Sequence, residues 1–177
     1  MIDINEYEKL ARDTGAYRDI ELDILKETLV SWSSSPGAPF TILELRDGKL
    51  LAGFAVLCRA ANTDFTFDVR SLCVERSYRG TAVGPRLLKI VEEETLRIEE
   101  SAIVRYEISR RKEEALGPGL FGQCGYALIG HIQDFYESGD DYYIYARHLR
   151  RAQPDAGPET GPAPAAPGLG ESPGGAP

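Results

Sequence analysis

The chain has 177 residues, 42% of them hydrophobic, with 20 Lys and Arg against 28 Asp and Glu and a net charge of −8 at neutral pH. That length suits one domain with a real core, and no apolar run approaches the roughly 18–20 residues of a membrane-spanning helix. The acidic balance argues against nucleic acid as a partner and is weakly compatible with a cationic substrate such as an amine. The opening residues, Met1 to Glu6, carry neither a basic region nor a signal-like apolar run, so a cytoplasmic protein is expected. Cys58, Cys73 and Cys124 lie in apolar settings without paired spacing and read as core thiols in a reducing compartment. His131 and His148 are isolated, and with no Cys/His cluster no metal is expected.

Period and punctuation give the elements in order. Helices are expected around Ile4–Arg12 and Asp19–Ser33, the second with an apolar stripe of Ile20, Ile24, Leu25, Leu29 and Trp32. Phe40–Leu45 and Leu50–Cys58 read as strands joined by an Asp47-Gly48 hairpin turn. Phe65–Val74 is the third strand, and a helix follows over Pro85–Glu100. Ala102–Ser109 reads as a strand ending in an acid, and Lys112–Leu116 starts a helix that Gly117-Pro118-Gly119 interrupts. Ala127–Ile132 and Tyr142–Leu149 form the last hairpin. The expected fold class is α/β of the mixed type, with helices on both faces of the sheet. The domain is expected to cover residues 1–151. Of the 26 residues from Ala152 to Pro177, 19 are Pro, Gly or Ala, a composition expected to stay disordered and to be dispensable.

The loop Arg79-Gly80-Thr81-Ala82-Val83-Gly84-Pro85 between the third strand and its helix is the most informative stretch. Small residues keep side chains away, so the free N–H groups of the loop and first helical turn can converge on an anion. Pro85 stands where a first helical residue would, needing no donor there. A P-loop would follow its last Gly with Lys and Ser or Thr, and a dinucleotide fingerprint has a different spacing. A tight strand-to-helix turn without a ligand is the plain alternative.

The pattern Arg79-x-x-Ala82-x-Gly84 resembles the pyrophosphate loop of the GNAT N-acetyltransferase superfamily, with Ala82 where Gly is usual. Three further passages extend the resemblance over most of residues 10–149: Ser71 to Gly80, Ala102 to Ser109 with Leu120-Phe121-Gly122-Gln123-Cys124-Gly125-Tyr126, and Asp134 to Leu149. The resemblance implies a mostly antiparallel mixed sheet with a splayed pair of central strands. It also implies an acetyl-CoA co-substrate, with Leu72, Cys73 and Val74 presenting backbone groups to its pantetheine arm and Arg79 to Pro85 holding its pyrophosphate. Cys73 is not expected to be a nucleophile, because similar enzymes transfer acetyl directly.

An amine attacking a thioester must lose a proton, since a lysine-like amine has a pKa near ~10.4. Glu107, near the end of an apolar strand, is the candidate base; pairing with Arg105 or Arg110, or pointing to solvent, is the competing reading. By strand alternation it shares a face with Arg105 and Ser109, opposite Tyr106 and Ile108. Phe121 stands where relatives usually have a Tyr that protonates the leaving thiolate, so Tyr126, Tyr136 or water would substitute. The expected function is an acetyl-CoA-dependent N-acetyltransferase acting on a primary amine of a small molecule. A protein Nα- or Lys-acetyltransferase and a weakly catalytic acyl-CoA-binding module are the alternatives. No membrane partner is expected, and a homodimer is admitted.

Overall fold

The Asp47-Gly48 turn closes the first hairpin: Gly48 sits at φ +59°, a conformation that L side chains rarely adopt. The computed structural model describes residues 3–35 and 39–151, so the expected 152–177 tail lies outside the described residues. The elements are α1 (Ile4–Asp13), α2 (Asp19–Ser34), β1 (Phe40–Asp47), β2 (Leu50–Arg59), β3 (Thr66–Val74), a 3-10 turn at Arg76–Tyr78, α3 (Val83–Ile98), β4 (Ser101–Ser109), α4 (Arg110–Leu116), α5 (Leu120–Gln123), β5 (Ala127–Glu137) and β6 (Asp140–Arg150). Every expected element is present, with ends displaced by at most five residues and several unchanged.

One sheet runs in the order β1-β2-β3-β4-β6-β5. All neighbours are antiparallel except β3 and β4, which α3 connects as a parallel pair. The first core cluster packs α3, α4 and α5 on Leu57, Phe67, Val69, Leu72, Val74, Val104 and Tyr106. The second packs α1 and α2 on Leu51, Phe54, Val56 and Cys73. The side chains of β2 and β3 alternate between these clusters, as strand geometry requires.

The apolar stripe expected on α2 is corrected. Leu25 and Leu29 face the sheet as expected, joined by Leu22, but Ile20 and Ile24 are 62% and 52% exposed. Ile20 and Ile24 also lie at helical spacing from the buried leucines, so periodicity alone did not separate them. The first helical residue is also corrected: α3 begins at Val83, which puts Pro85 at its third position. That site still suits proline, because none of the first helical N–H groups has an intrahelical acceptor.

Gly53 lets α3 lie close to the sheet. A Cβ there would meet the Cys73 carbonyl oxygen and the Leu87 side chain at 2.7 Å each.

Candidate active site

The parallel pairing of β3 with β4 covers Thr66–Val69 against Ile103–Tyr106 and then stops, although the strands continue to Val74 and Ser109. At the same point β3 carries a bulge. Leu57 pairs with Val69 and Val56 with Ser71, leaving Arg70 as the extra residue. A bulge bends its strand and sharpens the local twist, which turns β3 away from β4. This is the expected splay, and it leaves the β4-facing backbone of Leu72, Cys73 and Val74 without a strand partner.

The loop follows directly. Gly80 adopts φ +71°, open to glycine and strained for other residues. The Thr81 hydroxyl donates to the Tyr78 carbonyl (2.6 Å) and accepts from the Val83 N–H (3.3 Å). Among the described residues, the N–H groups of Gly80, Ala82 and Gly84 have no hydrogen-bond partner. Three free donors at the start of a 16-residue helix make an anion cradle that also lies at the positive end of the helix dipole. The Arg79 side chain points elsewhere. Its Nη2 donates to the Thr14 carbonyl at 2.8 Å and ties the end of α1 to the loop. Gly84 also packs closely, since a Cβ there would meet the Leu120 side chain at 3.3 Å. Free N–H donors at a helix start suit an anionic group such as a phosphate.

A cleft of about 770 Å³ opens on the α2 side of the splay. Ile24, Leu25 and Thr28 of α2, Cys58 of β2, Asp68 and Arg70 of β3, Arg105 and Glu107 of β4, and Tyr136 of β5 line it. A narrow slot on the other side of the splay is lined by Leu72 and Val74 of β3, Ala115 and Leu116 of α4, and Thr14 and Ala16.

Glu107 faces the cleft, on the sheet face opposite buried Tyr106 and Ile108. Its side chain is 43% exposed, and its Oε1 lies 3.3 Å from Nη2 of Arg105. The competing ion pair is therefore present alongside access to the cleft. Arg105 is itself held by Asp68 through a two-bond fork, 2.8 and 3.1 Å. The Tyr142 hydroxyl is pushed up to about 12, by burial first and then by its hydrogen bond to Glu107. Ser109 shares the Glu107 face but caps α4, accepting the Lys112 N–H at 3.2 Å. Sequence alternation showed Arg105 beside Glu107; Asp68 and Tyr142 became visible only with the strand register.

Of the tyrosines offered in place of a Tyr at 121, Tyr126 does not reach the cleft. It is 4% exposed in the first core cluster, against Tyr106 at 5.2 Å between ring centroids. Phe121 is fully buried there too, stacked on Tyr145 at 4.6 Å. Tyr136 does line the cleft, with the Arg18 guanidinium 4.4 Å from its ring centre.

The paired aspartates of the last hairpin divide the work of placing Tyr136. Asp140 accepts the Arg111 N–H at 3.1 Å and pins the hairpin to the start of α4. Asp141 accepts the Asp134 N–H at 3.0 Å, at the point where β5 breaks register and Asp134 turns to φ +50°. His131 Nε2 lies 2.8 Å from the same carboxylate, so this histidine has a structural partner. Cys73 is buried, and burial pushes its thiol up to about 12, which suits a core thiol and not a nucleophile.

No protein-family model matches the chain. It is 30% identical over 104 residues to the N-alpha-acetyltransferase RimI of Mycobacterium tuberculosis (strain ATCC 25618 / H37Rv), covering 58% of this chain and 62% of that protein. It is 31% identical over 107 residues to the uncharacterized protein ML0378 of Mycobacterium leprae (strain TN), covering 59% and 28%. The matched region thus spans less than two thirds of either relative. A protein from Desulfovibrio desulfuricans described as an acetyltransferase of the GNAT family superposes with a TM-score of 0.71 at 19% identity, over 82% of this chain and 91% of that one. An aminoglycoside 6'-N-acetyltransferase complexed with coenzyme A gives 0.64 at 14% identity, over 85% and 93%. The ribosomal-protein-S18-alanine N-acetyltransferase from Escherichia coli gives 0.55 at 16% identity, over 73% and 80%. The chain thus has the fold of these acetyltransferases.

Proposed function

We propose that the protein is an acetyl-CoA-dependent N-acetyltransferase that moves the acetyl group to a primary amine of a small molecule by direct attack on the thioester. The observation that carries this is the position of the splay. It opens between an anion cradle at the start of α3 and a cleft that presents a carboxylate. Coenzyme A enters from the cradle side, with its pyrophosphate on the N–H groups of Gly80, Ala82 and Gly84 and its pantetheine along Leu72, Cys73 and Val74. The acceptor enters the cleft, and Glu107, directly or through water, takes a proton from the amine. Of the cleft's carboxylates, Asp68 is forked to Arg105 and Glu21 is paired with Lys112, which leaves Glu107 as the one placed to meet an amine in a cleft of small-molecule size.

A peptide N-terminus is the second reading. The names of two relatives support it: an N-alpha-acetyltransferase and a ribosomal-protein-S18-alanine N-acetyltransferase. A panel of free polyamines, amino sugars and short peptides, assayed with acetyl-CoA by thiol release, separates the readings. Turnover on free amines supports the first, and turnover on peptides alone replaces it with the second. Coenzyme binding without turnover on either class leaves an acyl-CoA-binding module.

A further inference from the structure

Two residues line both the acceptor cleft and the narrow slot: Tyr17 and Lys112. They touch each other, with the Lys112 ammonium 4.3 Å from the Tyr17 ring centre. The Lys112 side chain is only 17% exposed, and its Nζ is 2.6 Å from Oε1 of Glu21. Its backbone is fixed at the third position of α4 by the Ser109 cap. The pair therefore stands where the slot meets the cleft. The Tyr17 hydroxyl accepts from the buried Cys73 thiol at 3.2 Å, which turns it toward the core and away from the divide that its ring shares with Lys112. Phe121 has no donor, and Tyr126 is sealed in the core. The ammonium of Lys112 is thus the cation at the divide.

We propose that Lys112 is a catalytic residue whose ammonium stands against the thioester sulfur and stabilises the departing thiolate as an ion pair. This rests on the acetyltransferase reading above. As the amine nitrogen forms its bond to the carbonyl carbon, the carbon–sulfur bond breaks and its electron pair stays on sulfur, next to the ammonium. The amine proton leaves through Glu107 or water, and the thiolate takes its proton later from solvent. Charge stabilisation is favoured over proton donation by geometry, because the ammonium is already committed to Glu21 at 2.6 Å and stands as a fixed charge. Glu21 accepts from Lys112 and holds it at the divide, and its own carboxyl stays ionised. Burial raises that carboxyl, but hydrogen bonds from Arg18 and Lys112 outweigh the burial and hold it below its usual range.

The test uses the coenzyme alone. An opposite charge within contact distance lowers a pKa by about one to three units, and one unit is about tenfold in affinity. The affinity of coenzyme A relative to its desulfo analogue, by calorimetry, is therefore expected to rise about tenfold or more between about pH 6 and about pH 9.5. The groups facing Lys112 leave that window clear. Glu21 is held low, the Tyr17 hydroxyl is raised by burial, and Cys73 is pushed up to about 12. Lys112→Met is expected to flatten the rise, and Lys112→Arg, which keeps the charge but cannot release a proton, to retain it. A flat ratio in the wild-type protein overturns the proposal without reference to any variant. So does an undiminished rise in Lys112→Met or a flat one in Lys112→Arg. If neither coenzyme A nor the desulfo analogue binds the wild-type protein, the acetyltransferase reading falls and takes this one with it. Binding with a flat ratio removes this one alone.

Discussion

The loop from Arg79 to Pro85 and the hairpin of β5 and β6 hold opposite sides of the same splay, and they are built in opposite ways. The loop is local. Its function is carried by backbone N–H groups, and what its side chains must do is stay small. The hairpin is assembled at a distance. Asp140 reaches α4, Asp141 reaches back across a broken register to Asp134 and His131, and Arg18 from the start of α2 covers Tyr136. A backbone site is written in consecutive residues and can be read from them. A side-chain site depends on which strand lies beside which, and consecutive residues do not record that.

Chemistry and binding should therefore separate cleanly by variant. The largest expected effect is on the cleft side. Glu107→Gln keeps shape and hydrogen bonding but accepts no proton, and turnover should fall about 10²–10⁴-fold with acetyl-CoA affinity nearly unchanged. The deficit should shrink as pH rises, because more of the amine is already neutral. Rate and affinity measured on the same preparation check this. Wild-type turnover at neutral pH with an amine of high pKa would move the base elsewhere.

On the loop side, Ala82→Pro removes one free N–H at a residue whose φ of −70° proline already adopts. The loss of a hydrogen bond to a charged group, about 1.5–3 kcal/mol, should weaken acetyl-CoA about tenfold to hundredfold by calorimetry. Thermal stability should be kept. Gly84→Glu is a poorer probe, because its side chain would collide with Leu120 before meeting any ligand.

Gly53→Ala should affect neither site directly and should destabilise both. Its Cβ would press on backbone at 2.7 Å, an overpacking cost of about 1–3 kcal/mol by chemical denaturation. The smallest effect should come from Asp141→Asn. The Asp134 N–H first, and then His131, hold the Asp141 carboxyl below its usual range. A lowered carboxyl contributes stability above its unfolded value and loses it as pH falls through the folded one. The melting-temperature gap between wild type and Asp141→Asn should accordingly narrow on acidification from about pH 6 to about pH 3. A constant gap would show that the carboxylate acts by shape alone.

The fold was readable because its punctuation is local: Asp47-Gly48, Gly80 and the Gly117-Pro118-Gly119 break each mark a boundary that the structure keeps. The full orientation of α2 was not, since Ile20 and Ile24 extend the apolar spacing of Leu25 and Leu29 and only the sheet shows that they stay outside. On the loop, the small-residue pattern pointed to free donors without separating Gly80, Ala82 and Gly84 from Thr81 and Val83, whose N–H groups are bonded within the turn. In the cleft, Glu107 was visible as an acid ending an apolar strand. Asp68, Tyr17 and the Lys112–Glu21 pair, 91 positions apart, had no common signal in the chain.

The bulge at Arg70 sets the phase of everything after it. Val69 and Leu72 reach the same face of the sheet because one extra residue lies between their ladders. Removing Arg70 would invert Leu72, Cys73 and Val74, sending the apolar pair toward α1 and α2 and the thiol toward α3. This stretch can therefore drift in composition while its length stays fixed. Among distant versions of this chain, a single deletion here would be more disruptive than several substitutions, because it reassigns inside and outside for the strand that borders both substrates.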